Sequence, residues 1–378
     1  MYMAERKRES GKIWDYMDYF LIISVCVAAI MGIVAIYSAA YSKPEGAKLV
    51  TVQSVALVLG FGIMILLSLM DYEILGESIK YIYIGNVILL ILVLFIGIGA
   101  ESTGTKGWID MGLVSFQPAE IVKIGFIITF AKHLEKIEED INYVPTLLGL
   151  SMHMIVLVGL ILLQPDFGTA MVFVFIFISM LFAARISYKY IFGGILSLVV
   201  ILPLLWYFKD SFLGQYQINR ILVFFNPYLD PLDSGYNVIQ SVISVGSGQL
   251  FGKGYLQGSQ NQLGYLPAKQ TDFIFATIGE EWGFVGASLV VLMLVIIIWR
   301  CIYIARTTQN KFGSYICMGV AAMLAVHTFE NIGMCMMMMP ITGIPLPFFS
   351  YGGSSLLTNF MAIGLVNSVR IRRRGLTF

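Results

Sequence analysis

Apolar runs close to the length of a bilayer crossing recur along the whole sequence of 378 residues. An α-helix needs about 20 mostly apolar residues to cross the hydrocarbon core, so these runs predict about ten transmembrane helices. With 58% apolar and 12% charged residues, the chain carries about half the usual charge of a soluble domain. The sequence therefore predicts an all-α, polytopic integral membrane protein. The predicted spans are 19–40, 49–70, 79–99, 115–132, 145–163, 167–184, 188–208, 273–299, 313–339 and 349–369.

Lysine and arginine residues are distributed unevenly between the two sides of this topology. With a cytoplasmic N-terminus, sixteen fall on the inside, seven on the outside, and Lys123 lies within a span. Cytoplasmic loops carry an excess of these residues, so both termini are predicted to be cytoplasmic. The first apolar run is too long for the core of a cleavable signal, which indicates a retained helix. The basic chain ends favour a membrane surface and no nucleic-acid partner.

One long connection, 209–271, interrupts the pattern of short loops and is predicted to lie outside, between the seventh and eighth spans. Its regularly spaced aromatic and aliphatic residues predict short amphipathic helices, and hence an ordered extracytoplasmic cap within a single domain covering 1–378. Gly252 and Gly254 flank Lys253, an arrangement that lets backbone approach a phosphate. Tight turns in a surface loop are the simpler interpretation of the same glycines.

Charged residues in so apolar a chain need an explanation, and several fall at the predicted outer side. Glu120 and Lys123 are one helical turn apart, where they form either a self-neutralising pair or part of a site. Asp166 begins the sixth span. Asp272 precedes the eighth span, where an aspartate is a favoured helix N-cap; Thr271 is the alternative N-cap residue.

Other polar residues within the predicted spans favour structural roles. Glu280 and Glu281 lie about two turns into the eighth span and are expected to serve helix packing. His327 and Glu330 are one turn apart in the ninth span, a spacing that favours an interhelical hydrogen bond over a proton relay or half of a metal site. The four cysteines have no metal-ligand spacing and are expected to be packing residues.

Six ordered motifs in the chain resemble those of the SEDS family of shape, elongation, division and sporulation proteins. The segment from GKG to TDFIF is most similar to the elongation branch, and the division and sporulation branches are the alternative. The motifs are FQPAEIVK at 116–123, QPDFGTA at 164–170, NPYLDPLDSGYNVIQS at 226–241, GSGQLFGKG at 246–254, LPAKQTDFIFATIGEEWGFVG at 266–286 and PITGIPLPFFSYGGSS at 340–355.

The resemblance implies a peptidoglycan glycosyltransferase of the bacterial cytoplasmic membrane that polymerises lipid II into glycan strands. It implies Asp272 as the general base and undecaprenyl pyrophosphate as the leaving group. Lys123 is the leading candidate for binding the pyrophosphate, and a divalent cation, Mg or Mn, is an alternative. Further substrate-binding candidates are Glu120, Asp166, Lys106, Trp108, Arg220, Lys253, Lys269, Gln270 and Thr271.

The sequence departs from the family pattern at one position. The family's third-to-fourth loop often reads Gly-Ala-x-Arg-Trp, whereas this chain has Gly107 where the arginine stands. Lys106 is the nearest cation, but a lysine lacks the planar fork of arginine. A phosphate-binding role is therefore not transferred to this position.

The resemblance also implies partners: a class B penicillin-binding protein, which is a transpeptidase, and other membrane proteins of the elongation complex. Two further functions remain open from the residues. A lipid II flippase would need a polar path through both leaflets, and a non-enzymatic scaffold would not need the glycine-rich motifs.

Overall fold

The computed structural model describes residues 13–99, 105–110, 112, 115–137, 140–207 and 215–373. Fourteen α-helices dominate this part of the chain, which confirms the all-α class. They are α1 (Tyr19–Ala40), α2 (Gly46–Leu69), α3 (Tyr72–Glu77), α4 (Ile79–Ile96), α5 (Pro118–Lys136), α6 (Val144–Leu162), α7 (Phe167–Ala183), α8 (Tyr188–Tyr207), α9 (Gln215–Phe225), α10 (Ser234–Ser247), α11 (Ser259–Gln262), α12 (Ile274–Thr307), α13 (Lys311–Cys335) and α14 (Gly353–Arg372).

Six of these helices are long and apolar enough to cross a membrane: α1, α2, α4, α6, α12 and α13. α7 is a shorter apolar helix of 17 residues. Helices also form at the other predicted spans, as α5, α8 and α14. The chain is thus a multi-pass membrane protein, and the count of ten crossings remains a prediction.

The central helix is α13, most of whose residues are buried, and it packs against α5, α7, α12 and α14. α14 packs along α2, where glycines allow close approach. A Cβ at Gly60 would meet the Phe360 ring at 2.5 Å, and one at Gly364 would meet the Met64 carbonyl oxygen at 2.8 Å. Small residues at such crossings let helix backbones pack closely within a membrane.

A buried aspartate joins three helix ends at one face of the bundle. Asp18 caps α1 by accepting from the Leu21 amide, and its carboxylate lies 2.8 Å from Arg300 Nε of α12 and 3.8 Å from Arg370 Nε of α14. Its amide donates to Asn367 Oδ1. The start of α1 and the ends of α12 and α14 therefore share one face, as the predicted topology requires.

Residues 215–271, which we call the cap, contain the predicted short helices, α9 to α11, joined by turns. α10 ends at Ser247, with Gly248 in the C-cap position. A 3-10 turn at Pro227–Leu229 links α9 to α10. The only strands in the described residues are β1 (Ile109–Asp110) and β2 (Ser115–Phe116), an antiparallel pair just before α5.

The cap is inserted into a break in α12. At Gly283, with φ of +67°, the helix is interrupted. The Glu280 and Glu281 carbonyls accept hydrogen bonds from the amides of Lys253 and Gly254. In return, the amides that follow the break, at 284 and 285, donate to the carbonyls of 249 and 250. The backbone groups freed by the break are thereby satisfied, as burial in a membrane protein demands.

The side chains of Glu280 and Glu281 strengthen the same junction, so the structural role expected of them is confirmed. Glu280 accepts from Lys253 Nζ at 2.8 Å and from two backbone amides of α11. Glu281 accepts from Ser38 Oγ of α1 at 2.6 Å and from Asn261 Nδ2 at 2.8 Å. Both carboxylates are buried and hydrogen-bonded, the condition under which a buried charge is tolerated.

Candidate active site

A cavity of about 740 Å³ lies between the cap and the helix ends beside it. Its walls come from the N-terminal ends of α2, α5, α7 and α14, from α9 and α10, and from the loop after α13. The structure brings seven of the predicted site residues together on these walls: Trp108, Glu120, Lys123, Asp166, Arg220, Thr271 and Asp272.

Asp272 stands just before α12 and is not its N-cap, so that prediction was wrong. The helix begins at Ile274, and Phe273 is its N-cap residue. The physical reason is a tight turn, in which Ala268 accepts hydrogen bonds from the amides of Thr271 and Phe273 and delays the start of the helix. The Asp272 carbonyl accepts from Asn331 Nδ2 of α13 at 2.8 Å, while its carboxylate remains free of any capping bond.

The surroundings of Asp272 act on its ionisation in opposite directions. Burial raises the pKa of its carboxyl above the ordinary value, while the Arg220 guanidinium and a hydrogen bond with Thr271 oppose that rise. Gly343 leaves space beside it, since a Cβ there would lie 3.6 Å from Asp272 Oδ2. A carboxylate with a raised pKa in a cavity is suited to accept a proton.

Lys123 is the buried cation of the cavity and is 1% exposed. Its Nζ donates to Glu120 Oε1 at 2.7 Å and lies 3.0 Å from His327 Nε2. The predicted pair within α5 is therefore present, and the expected interhelical hydrogen bond of His327 is confirmed. Glu330, the other residue of that pattern, accepts no hydrogen bond from the described residues.

Asp166 both lines the cavity and holds its walls together. It caps α7 by accepting from the Thr169 amide at 3.0 Å and hydroxyl at 2.9 Å, and it accepts from Gln117 Nε2 at 3.1 Å. With these three bonds, Asp166 connects the starts of α5 and α7. Its carboxylate is thus a fixed acceptor in the wall.

Four predicted binding residues do not line the cavity, and their role in binding stays a prediction. Lys106 is exposed on the loop before β1. Lys253 pairs with Glu280, and the glycines beside it form the junction with α12, so their interpretation as structural turns is supported. Gln270 accepts from Lys43 Nζ at 2.9 Å.

Lys269 is the fourth of these residues and is buried under the cap. Its Nζ donates to the Ser42 hydroxyl and the Asn261 carbonyl. Burial and the nearby Lys43 lower its pKa to about 8, although Glu280 and Glu281 favour the charged form. Lys269 therefore ties α11 to the segment before Asp272.

Gly107 is buried and lies against the polar wall. A Cβ at this position would be 3.6 Å from Gln117 Nε2 and 3.8 Å from both Asp166 Oδ2 and Gln164 Oε1. A side chain here would thus extend towards Asp166. Lys106, the residue before Gly107, is exposed to solvent and does not take the place of the family's arginine.

Sequence reasoning missed several residues that line the cavity. Glu45 and Lys48 at the start of α2 are exposed at its edge, and Ser354 and Ser355 begin α14. The two serines belong to the motif PITGIPLPFFSYGGSS at 340–355, but the motif alone does not show which of its side chains face the cavity. His327 was interpreted as structural only, and its position on the cavity wall depends on α13 packing against α5.

The described residues contain no group of three or more His, Cys, Asp or Glu side chains arranged to hold a metal ion. Asp166 and Asp272 both line the cavity, but hydrogen bonds already occupy both oxygens of Asp166. The part of the chain that the structure describes therefore holds no preformed cluster of metal ligands.

Comparisons with known proteins agree with this fold. A family model described as "Cell cycle protein", covering FtsW, RodA and SpoVE, matches residues 18–375. The peptidoglycan glycosyltransferase MrdB of Escherichia coli (strain K12) is 35% identical over 325 residues, 85% of each chain. Stage V sporulation protein E of Bacillus subtilis (strain 168) is 35% identical over 369 residues, 93% of this chain and 96% of that protein.

Two solved structures share the architecture. A chain from a study of structural coordination of polymerization and crosslinking by a peptidoglycan synthase complex superposes with a TM-score of 0.81 and 30% identity. The alignment covers 95% of this chain and 99% of that one. The rod shape determining protein RodA of Thermus thermophilus gives a TM-score of 0.72 and 29% identity, over 96% and 99% of the two chains.

Proposed function

Because the chain belongs to the FtsW/RodA/SpoVE family of cell cycle proteins, we propose that it is a peptidoglycan glycosyltransferase that polymerises lipid II. The observation that carries the proposal is the single cavity wall on which Asp272 stands with Lys123 and Arg220. A potential base and two cations are what a glycosyl transfer from a diphosphate-linked donor needs.

The proposed reaction uses Asp272 as the base. The GlcNAc 4-hydroxyl of the acceptor gives its proton to the Asp272 carboxylate while its oxygen attacks the MurNAc anomeric carbon of the donor. The bond from that carbon to the diphosphate oxygen breaks with inversion, and undecaprenyl pyrophosphate leaves with the electron pair. Lys123 and Arg220 stabilise the negative charge that develops on the leaving group.

Other wall residues bind the sugars or the peptide in this proposal. Trp108 offers an aromatic face, and Thr271 offers a hydroxyl one residue before the base. Glu120 orients Lys123 through the 2.7 Å ion pair, and Asp166 is a fixed hydrogen-bond acceptor. The lipid tail of the substrate would remain among the apolar helices.

The proposed topology places the whole chain, as one domain, in the bacterial cytoplasmic membrane with the cap outside and both termini in the cytoplasm. A class B penicillin-binding protein would cross-link the product, alongside other membrane proteins of the elongation complex. The likeness to a chain from a peptidoglycan synthase complex supports such a partner. The motifs favour the elongation branch over the division and sporulation branches.

The position of the cavity supports transfer over a flippase. Its walls include the N-terminal ends of α2, α5, α7 and α14, which the predicted topology places at one membrane face, together with α9, α10 and His327 of α13. A flippase would require polar walls continuing to the opposite face. A scaffold without activity would not need buried charges such as Lys123 on a cavity wall.

The test is polymerisation of purified lipid II in detergent by the chain together with its penicillin-binding partner. Wild type is expected to make glycan strands, and Asp272→Asn is expected to reduce the rate at least about 100-fold, since general base catalysis contributes factors of this order. Thr328→Val serves as a control, because among the described residues the Thr328 hydroxyl bonds only the Leu324 carbonyl of its own helix. A folded Asp272→Asn protein with the normal rate would refute the role of the base.

A further inference from the structure

The hydrogen bond between Lys123 and His327 fixes the state of the imidazole. An ammonium group has three N–H donors and no acceptor. Lys123 forms an ion pair with Glu120, so we assign it as an ammonium; His327 Nε2, 3.0 Å from its Nζ, is then the acceptor, and the ring is neutral with its proton on Nδ1. A second N–H of Lys123 goes to Glu120 Oε1. Two of the three donors are therefore committed.

The third N–H has no acceptor among the described residues, although Lys123 is almost fully buried. Lys123, Glu120 and His327 all line the cavity. Because two donors are held by partners from two different helices, α5 and α13, the rotation of the ammonium about its last bond is fixed. The remaining donor is then available to a ligand in the cavity.

We propose that His327 is a positioning residue, which holds the Lys123 ammonium so that its third N–H meets the diphosphate of the lipid-linked substrate. The inference rests on the proposed function and adds a residue to it. His327 touches no reacting atom; it acts through Lys123.

Charge explains why a neutral acceptor suits this position. Apart from His327 and Tyr351, the ionisable side chains of the cavity wall are six acidic and three basic: Glu45, Asp110, Glu120, Asp166, Asp233 and Asp272 against Lys48, Lys123 and Arg220. A second carboxylate on Lys123 would add to that negative excess and oppose a diphosphate. An imidazole accepts the hydrogen bond without adding charge, so Lys123 keeps its attraction for the anion.

Two substitutions separate positioning from packing. His327→Leu fills similar space but has no acceptor, and His327→Gln keeps an amide oxygen that can accept from Lys123. Lipid II polymerisation is measured over a range of substrate concentrations for wild type, both variants and Thr328→Val. We expect His327→Leu to raise KM about tenfold or more with a smaller change in kcat, because a hydrogen bond to a charged group is lost. His327→Gln and Thr328→Val are expected to stay within about threefold of wild type.

A second measurement does not depend on catalysis. Binding of inorganic pyrophosphate to the purified chain is followed by calorimetry, and His327→Leu is expected to bind about tenfold more weakly than wild type. Equal pyrophosphate affinity, or equal loss in the Leu and Gln variants, would overturn the positioning role. If wild type makes no glycan, the proposed function fails, and the pyrophosphate comparison still decides the role of His327.

Discussion

At the scale of single residues, Asp272 carries a stability cost that follows from its raised pKa. The folded chain holds this proton more tightly than the unfolded chain, whose aspartates titrate near pH 3.9. The favourable contribution of Asp272 to the free energy of unfolding is therefore complete below about pH 3.9 and is lost as the pH rises through the raised pKa of the folded chain. Above the raised pKa, the ionised carboxylate destabilises the fold.

Asp272→Asn is thus expected to melt at a higher temperature than wild type at pH 7, by several degrees, with the difference shrinking towards pH 4. Thermal melting in detergent across this pH range measures the effect. Asp166→Ala provides the contrast, because it removes a helix cap and should lower stability by about 1 kcal/mol. A lower melting temperature for Asp272→Asn at every pH would contradict the account.

The sequence indicated seven residues of the cavity wall, but local spacing predicted a contact only between Glu120 and Lys123. Glu120 and Lys123 are one turn apart on a single helix, so their pairing was predictable. Lys253 and Lys269 resembled phosphate ligands by charge, but their partners, Glu280 and Asn261, come from other segments that only the folded chain brings near. Charge alone does not distinguish a lysine that binds phosphate from one that forms a structural contact within the fold.

At the scale of an element, the break in α12 depends on Gly283. Its φ is +67°, and a Cβ would meet the Gly252 amide nitrogen at 2.2 Å and the Leu250 carbonyl oxygen at 2.6 Å. Gly283→Ala combines left-handed strain with a backbone clash. We expect it to destabilise the chain by at least about 2 kcal/mol, measured as a lower melting temperature with loss of polymerisation.

Gly264→Ala is the matched control for this substitution. Gly264 also has a positive φ, of +76°, but a Cβ there would meet nothing within 4 Å. Gly264→Ala should therefore destabilise the chain only by the strain of a side chain at a positive φ, about 1 kcal/mol. Equal effects of the two substitutions would show that the junction with the cap contributes nothing.

Apolar runs predicted the helices well because burial in a bilayer demands continuous apolar sequence. The first predicted span, 19–40, coincides with α1. The break at Gly283 was not predicted, since the apolar pattern continues through it and the hydrogen bonds that permit it come from the cap. α12 also reaches Thr307, beyond the predicted end at 299.

At the scale of the whole molecule, the contacts of Asp18 with Arg300 and Arg370 show that the start of α1 and the ends of α12 and α14 lie at the same face. The excess of cationic residues predicts that this face is cytoplasmic. Single cysteines at Leu232 in the cap, which is 93% exposed, and at Arg306 at the end of α12 test the orientation.

The labelling background carries Cys26→Ala, because the other three native cysteines are buried. An impermeant thiol reagent added to intact cells lacking an outer membrane is expected to label the cysteine at 232 and to reach the one at 306 only after lysis. The reverse pattern would place the cavity in the cytoplasm and refute the proposed access to substrate.

The exchange of backbone hydrogen bonds between the cap and α12 also limits how such a chain can diverge. A cap with a different backbone conformation at 249–254 would leave four peptide groups of α12 without partners unless the segment around Gly283 changed with it. Recombination breakpoints between 249 and 286 should therefore be selected against. The loop and the helix that it interrupts are inherited as one unit, although one is polar and the other crosses the membrane.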